Sequence, residues 1–144
     1  MKRDLTFELP TDVQEIERFV ATLLDYGRGT GFDTGRLRLN LRVGVTEALS
    51  NAMLYGNRRD PRKRVRIGVT LTRHAITVRV TDEGGGFDPT RVPDPTTPAN
   101  IRRPRGRGIF LIRQLMDHVE YNSSGNSVEM TLKNGPAGPI ARAS

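Results

Sequence analysis

The chain has no cysteine and no tryptophan, and only two histidines. Disulfides and thiolate metal sites are therefore excluded. His74 stands in a turn-like stretch and His118 follows a helical pattern, so neither suits a phospho-acceptor helix, and two dispersed histidines make no metal site. Aromatics are scarce, five Phe and three Tyr, and they do not interleave with the basic runs. No helix-turn-helix, RNP-type or zinc-ligand spacing accompanies them, so direct nucleic-acid contact is not expected. No apolar run approaches the roughly 18 residues of a membrane span. The N-terminus, Met1-Lys2-Arg3-Asp4 followed by alternating residues, lacks the pattern of a signal peptide. A cytoplasmic protein without membrane contact is the expectation.

What is present fits one domain. The chain has 144 residues, 35% hydrophobic and 27% charged, and a domain of that size buries roughly 68–70% of its unfolded surface. A net charge of +7 and a pI near 10.7 allow an anionic surface, an acidic partner or an acidic ligand. Most basic residues are dispersed, apart from Arg58 to Arg66 and Arg102 to Arg107.

One stretch organises the rest. Glu47-Ala48-Leu49-Ser50-Asn51 lies in a helical pattern expected from about Arg36 to Gly56, with Asp33 as N-cap and Gly56-Asn57 as the stop. Leu37, Leu41, Val45, Ala48 and Ala52 form its core face. Asn40, Gly44, Glu47 and Asn51 form a second, polar face, on which residues four apart are neighbours. Polar helix faces are usually solvated; two glycine-rich segments further along argue for another use here.

Around this helix, Leu5–Leu9 alternates as a strand and Pro10 ends it. Thr11 is the expected N-cap of a helix running to about Asp25, with Gln14 completing a capping box and Val13, Ile16, Phe19, Val20, Leu23 and Leu24 facing inward. Gly27-Arg28-Gly29-Thr30-Gly31 reads as a breaker and connector; it lacks the Lys-Ser/Thr ending of a P-loop. Val65–Thr72 and Ile76–Thr81 read as a hairpin. Thr90 to Arg105, with four prolines and no periodicity, is a long loop of the kind that serves as a lid. Ile109 to Met116 reads as a helix, and Val119–Asn122 with Val128–Leu132 as a second hairpin. Residues 1–133 are expected to form the domain, and 134–144 a mobile Gly-, Pro- and Ala-rich tail. The order β-α-α-β-β-lid-α-β-β implies an α+β two-layer sandwich, with a mixed sheet of about five strands and three helices on one face.

Two glycine segments carry further chemistry. Asp82-Glu83-Gly84-Gly85-Gly86 follows a strand. An ionised Asp only accepts hydrogen bonds, which matches a purine amino group, and glycines let backbone approach a base or ribose. A polar turn would look the same. Gly106-Arg107-Gly108 precedes a helix, whose free N–H groups and dipole favour phosphate, with Arg103, Arg105 and Arg107 available to pair with its oxygens. A flexible connector would look the same.

The conjunction of helix Glu-x3-Asn, strand-Asp-x-Gly-x-Gly, lid and Gly-x-Gly-helix resembles the Bergerat-type ATPase and kinase superfamily over about Leu37 to Leu132. Within it, Glu47-Ala48-Leu49-Ser50-Asn51-Ala52, Gly106-Arg107-Gly108-Ile109 and the single-domain length resemble the anti-sigma-factor serine/threonine kinases. The resemblance implies ATP and Mg2+ as cofactors. Glu47 would be the general base, Asn51 the magnesium ligand, and Asp82 the adenine reader. Gly84 and Gly86 would shape the base pocket, Gly106 and Gly108 would wrap the phosphates, and Arg105 would offset γ-phosphate charge. The implied partners are a sigma factor and a STAS-type anti-sigma antagonist whose Ser or Thr is phosphorylated, with the early strand and helix contributing to a homodimer. Tyr55 stands where that family often has His, and the segment Pro93 to Arg105 is unusually rich in Pro and Arg, leaving open which of Arg103 and Arg105 faces nucleotide. The competing reading is a non-catalytic switch, loaded with ATP or ADP, that sequesters a transcription regulator.

Overall fold

Alternation of apolar and polar residues builds a five-stranded sheet. The computed structural model describes residues 2–85 and 104–135, with side chains from Gly108 onward in the second segment. The strands are β1 (Arg3–Pro10), β2 (Arg64–Leu71), β3 (Ala75–Thr81), β4 (His118–Tyr121) and β5 (Ser127–Lys133). Their order across the sheet is β1-β2-β3-β5-β4. Every neighbouring pair is antiparallel, so the expected mixed sheet is corrected to an antiparallel one. The reason is the last hairpin. It inserts β5 beside β3 and leaves β4, which runs in the same direction as β3, on the edge.

One face of the sheet is buried. Ile67, Val69, Leu71, Ile76, Val78, Met130 and Leu132 point under the helices, each such side chain contributing about 1.5–3 kcal/mol through burial. The opposite face is polar. There the Thr70 hydroxyl donates to Asp4 at 2.7 Å, the Thr77 and Thr131 hydroxyls share a hydrogen bond at 3.1 Å, and Arg79 pairs with Glu129.

Helix α1 (Ile16–Gly29) is preceded by a 3-10 turn, Val13–Glu15. Asp12, not Thr11, is the cap: its Oδ1 accepts from the Gln14 N–H at 3.0 Å. The Thr11 hydroxyl is drawn away to donate to the Lys63 carbonyl at 2.6 Å. Val13, expected inside, is 49% exposed because it sits on that first turn. The helix also continues into the expected breaker, as far as Gly29. Gly27 is there for close packing, since a β-carbon on it would lie 2.6 Å from Leu37 Cδ2. Termination falls at the end of that segment, where Gly31 has φ +78°, the left-handed region glycine adopts without a steric cost.

The long helix α2 covers 34–56 as four consecutive pieces, Thr34–Arg36, Leu37–Leu41, Arg42–Asn51 and Ala52–Gly56, of which the second and fourth are wide π-type turns. Asp33 caps it, accepting from the Arg36 N–H at 2.8 Å. The expected core face is fully buried: Leu37, Leu41, Val45, Ala48 and Ala52 are at most 5% exposed.

Helix α3 (Pro104–Leu115) starts earlier than expected. Gly106 and Gly108 lie inside its first turns and not in a loop before it. Proline at the first helical position suits this start, since its missing N–H has no intrahelical partner there. Most of the expected lid, with Gly86, Arg103 and the Arg105 side chain, lies outside the described residues, as do residues 136–144 of the expected tail. Among the described residues, no helix is long and apolar enough to cross a membrane.

Candidate active site

The polar face of α2 is half-buried, with Asn40, Glu47 and Asn51 only partly exposed; it is the track along which α3 lies. At one end the Asn40 side chain donates to the Leu115 carbonyl at 2.7 Å, satisfying one of the carbonyls a helix end leaves open. Next, Gly44 leaves room for Met116, whose Sδ would be 3.0 Å from a β-carbon at position 44. At the far end Gly108 of α3 faces Glu47 and Asn51 of α2. A β-carbon on Gly108 would sit 2.7 Å from Glu47 Oε1 and 3.3 and 3.5 Å from the Asn51 amide nitrogen and oxygen. Glu47 and Asn51 therefore meet α3 at a glycine, where a β-carbon would displace the ends of their side chains.

Asn51 also lines a small, partly open cleft, together with Asp82, Ala48, Ala52, Val80, Ile109 and Val128. Its Nδ2 is buried with no hydrogen-bond partner among the described residues. The two ends of an amide are assigned from their surroundings, so Asn51 offers an unmet polar end in the wall of that cleft. Turned the other way, the amide would present its oxygen there, a hard donor that suits Mg2+, which takes one or two protein ligands and completes its shell with phosphate and water. Among the described residues no cluster of three His, Cys, Asp or Glu side chains stands ready to hold a metal.

Asp82 is only 7% exposed. It leaves β3 as its N–H donates to the Asn126 carbonyl at 2.9 Å, and its Oδ1 accepts from the Gly84 N–H at 2.8 Å. Two glycines bring this turn against the end of α2. A β-carbon at Gly56 would fall 2.2 Å from Asp82 Oδ2, and one at Gly84 would fall 1.7 Å from the Gly56 carbonyl oxygen.

The structure thus brings Glu47, Asn51 and Gly108 together, and places Asn51 and Asp82 on one cleft. Gly84 packs on the helix end behind Asp82. Gly106 lies on the first turns of α3; Gly86 and the Arg105 side chain cannot be placed among the described residues. The far wall of the cleft, Tyr121, Gly125, Asn126 and Ser127, goes unmarked by the motifs. It comes from the β4–β5 hairpin, where Asn and Ser carry the ordinary signal of a turn. Tyr121 also lies under the Arg113 guanidinium, 5.7 Å from its ring centroid.

A five-stranded antiparallel sheet with three helices on one face, and a cleft lined by Asn51 and Asp82, fit an ATPase of the histidine-kinase-like class. Residues 8–132 match the family described as histidine kinase-like ATPase domain, and the chain belongs to it. Its relatives include a serine-protein kinase RsbW of Listeria monocytogenes serovar 1/2a, 28% identical over 138 residues that make up 91% of this chain and 87% of the relative. A serine-protein kinase RsbW of Oceanobacillus iheyensis is 30% identical over 100 residues, 65% of this chain and 63% of the relative. The anti-sigma F factor of Bacillus subtilis is 31% identical over 97 residues, 63% of this chain and 66% of the relative. The chain therefore spans somewhat under two thirds of the last two relatives. A crystal structure of the RsbU and RsbW domains of a Mycobacterium tuberculosis protein shares the fold, with a TM-score of 0.62 at 15% identity, covering 94% of this chain and 34% of that one.

Proposed function

We propose that the protein binds Mg-ATP and transfers its γ-phosphoryl group to a Ser or Thr hydroxyl of a STAS-type anti-sigma antagonist, and that it acts as an anti-sigma factor by holding a sigma factor. The observation that carries this reading is the meeting of Glu47 and Asn51 at Gly108, with Asn51 and Asp82 sharing one cleft. The names of its relatives, serine-protein kinase and anti-sigma F factor, support the same direction.

Each residue has a role that follows from its chemistry. The Asp82 carboxylate accepts from the exocyclic amino group of adenine; guanine presents an oxygen acceptor at that place, and acceptor would meet acceptor. Burial strengthens that discrimination, because an unpaired polar group in the cleft keeps its full desolvation cost. The Asn51 amide holds the metal, and Mg2+, when bound, offsets charge on the phosphate oxygens. Glu47, one helical turn before Asn51 on the same face, accepts the proton of the attacking hydroxyl. Gly106 and Gly108 let the backbone of α3 approach the phosphates, and Arg105 offsets charge at the γ-phosphate. Gly84 and Gly86 shape the base side of the site. The net charge of +7 suits an anionic nucleotide and an acidic partner surface. Assembly as a homodimer through the first strand and helix belongs to the same reading.

The test is transfer of label from γ-labelled ATP to a purified STAS-domain antagonist, with pull-down of a sigma factor in parallel. Labelling of a Ser or Thr is the expected result. Mg-ATP binding without transfer to any such antagonist would replace the kinase by a nucleotide-loaded binding switch.

A further inference from the structure

In the sequence Asn57 carries the ordinary meaning of an asparagine after a glycine at a helix end. In the structure it is 0% exposed, and both ends of its amide are engaged. Nδ2 donates to the Thr11 hydroxyl at 2.9 Å and to the Arg64 carbonyl at 3.1 Å. Oδ1 accepts from the Glu83 N–H at 2.7 Å. Its backbone is committed as well: the Asn57 N–H closes the last wide turn on the Ala52 carbonyl at 2.7 Å, and its carbonyl accepts from the Asp60 N–H at 3.0 Å. Arg58 and Arg59 then follow with φ of +52° and +62°, a conformation unfavourable for residues with a β-carbon, held as the Arg59 N–H donates to the Met53 carbonyl at 2.8 Å. A helix stop needs none of this side-chain bonding.

The three segments joined by the amide are the end of β1, the start of β2 and the turn after β3. Only the third bears on the cleft. Glu83 follows Asp82 directly, and its N–H is held by Asn57 while its Oε1 accepts from the Arg64 N–H at 3.1 Å. Asn57 thereby links the helix that presents Glu47 and Asn51 to the turn that presents Asp82.

We infer that Asn57 is a positioning residue for the nucleotide. It fixes the Asp82 turn relative to the Glu47–Asn51 face, and so sets how well the base is read when the triphosphate lies against that face. The inference rests on the nucleotide-site reading proposed above. Asn57 acts through Glu83 and Asp82 and need touch neither base nor phosphate.

A purely structural role would also make Asn57 costly to change, so the test separates the two. Thr11→Val removes one partner of the same amide at the end away from Asp82. Asn57→Leu keeps the size, removes every side-chain bond and leaves the Glu83 N–H without its acceptor. Asn57→Ser, too short to reach Glu83, serves if the leucine variant does not fold. Thermal melts are combined with calorimetric titration of Mg-ATP and Mg-GTP, at a temperature where each variant is fully folded. Thr11→Val is expected to lower Tm while leaving ATP affinity and the preference for ATP over GTP unchanged. The Asn57 variants are expected to lose about tenfold or more in ATP affinity, as a buried donor left unmet implies, and to narrow that preference. Folded Asn57 variants with wild-type affinity and preference would overturn the inference, as would Thr11→Val losing affinity in step with its Tm. Failure of the wild-type protein to bind Mg-ATP would instead remove the nucleotide reading itself, and this inference with it.

Discussion

Gly84 lies so close to Gly56 that a β-carbon at position 84 would stand 1.7 Å from the Gly56 carbonyl oxygen. The obstacle is backbone at the end of a helix and cannot swing aside. On the other side of Gly56, Asp82 Oδ2 occupies the space a β-carbon would take, 2.2 Å away. The seat of the Asp82 carboxylate is therefore built from two backbones in contact, without an intervening side chain.

Gly84→Ala must push the turn off the helix end. Overpacking of this kind costs about 1–3 kcal/mol, and a chain of this size loses roughly 2–4 °C of Tm for each of those. Because the turn carries Asp82, ATP affinity is expected to fall by about tenfold or more as its hydrogen bond to the base is misplaced. Melting curves and Mg-ATP titration check both. Unchanged Tm and affinity would mean that the turn does not rest on Gly56.

Glu47→Gln keeps the shape and the contact with Gly108 while removing the proton acceptor. Phosphoryl transfer is expected to drop by about 10²–10⁴, the usual contribution of a positioned base. Mg-ATP affinity is expected to stay near that of the wild-type protein, because Asp82 and Asn51 are untouched. Single-turnover transfer and equilibrium binding measured on the same preparation separate the two effects.

How much of this could be read in advance depended on whether a residue's meaning was local. Alternation in β2, β3 and β5 and the helical period of Leu37, Leu41, Val45 and Ala48 are repeated signals, and the elements stand where they point. Single glycines misled. Gly27 and Gly108 have the local meaning of breakers, yet both lie inside helices because another chain segment passes where a side chain would be. The same limit explains the cap of the 3-10 turn before α1. Thr11 and Asp12 are equally good N-caps by type, and a contact with distant Lys63 decides between them. Spacing joined to a family resemblance singled out Asn51 and Asp82, which share the cleft, and Glu47, which meets Gly108 beside Asn51. Asn57 and the hairpin wall of Tyr121 and Asn126 were not legible, since their contacts involve partners far along the chain.

Asp60 offers a pH-dependent signal in the loop after α2. Its carboxylate accepts from the Arg62 N–H at 2.9 Å, Nε at 3.1 Å and Nη2 at 3.0 Å. The hydrogen-bonded Arg62 guanidinium holds its pKa at about 2, down from 3.8. A depressed pKa in the folded state means that the folded chain binds fewer protons than the unfolded one. The contribution is therefore present above the unfolded value and lost as pH falls toward about 2. Since the pair is exposed, the effect on total stability is small, and the carboxyl resonance is the better probe. NMR titration is expected to give a midpoint near the depressed value in the wild-type protein, and Arg62→Gln is expected to return it toward 3.8. An Asp60 midpoint unchanged by that substitution would exclude the Arg62 contact as its cause.

Gly108→Ala is the counterpart of Gly84→Ala, with the opposite expectation for the fold. The atoms a new β-carbon would meet are Glu47 Oε1 at 2.7 Å and the Asn51 amide at 3.3 and 3.5 Å. These are side-chain ends that can rotate, and alanine is favoured over glycine inside a helix by about 0.8–1.0 kcal/mol. Stability is therefore expected to hold or rise slightly. The two displaced groups are those assigned to proton removal and metal holding, and a misplacement of about 1 Å at a reacting centre can cost about 10²-fold. The expected signature is a folded protein with unchanged or higher Tm, ATP affinity weakened less than in Gly84→Ala, and a transfer rate reduced by about tenfold or more. Measured together, the two glycine variants separate the base-reading side of the cleft from its phosphoryl-transfer side. A Gly108→Ala protein that transfers phosphate at the wild-type rate would show that Glu47 and Asn51 do not act from the positions they hold beside α3.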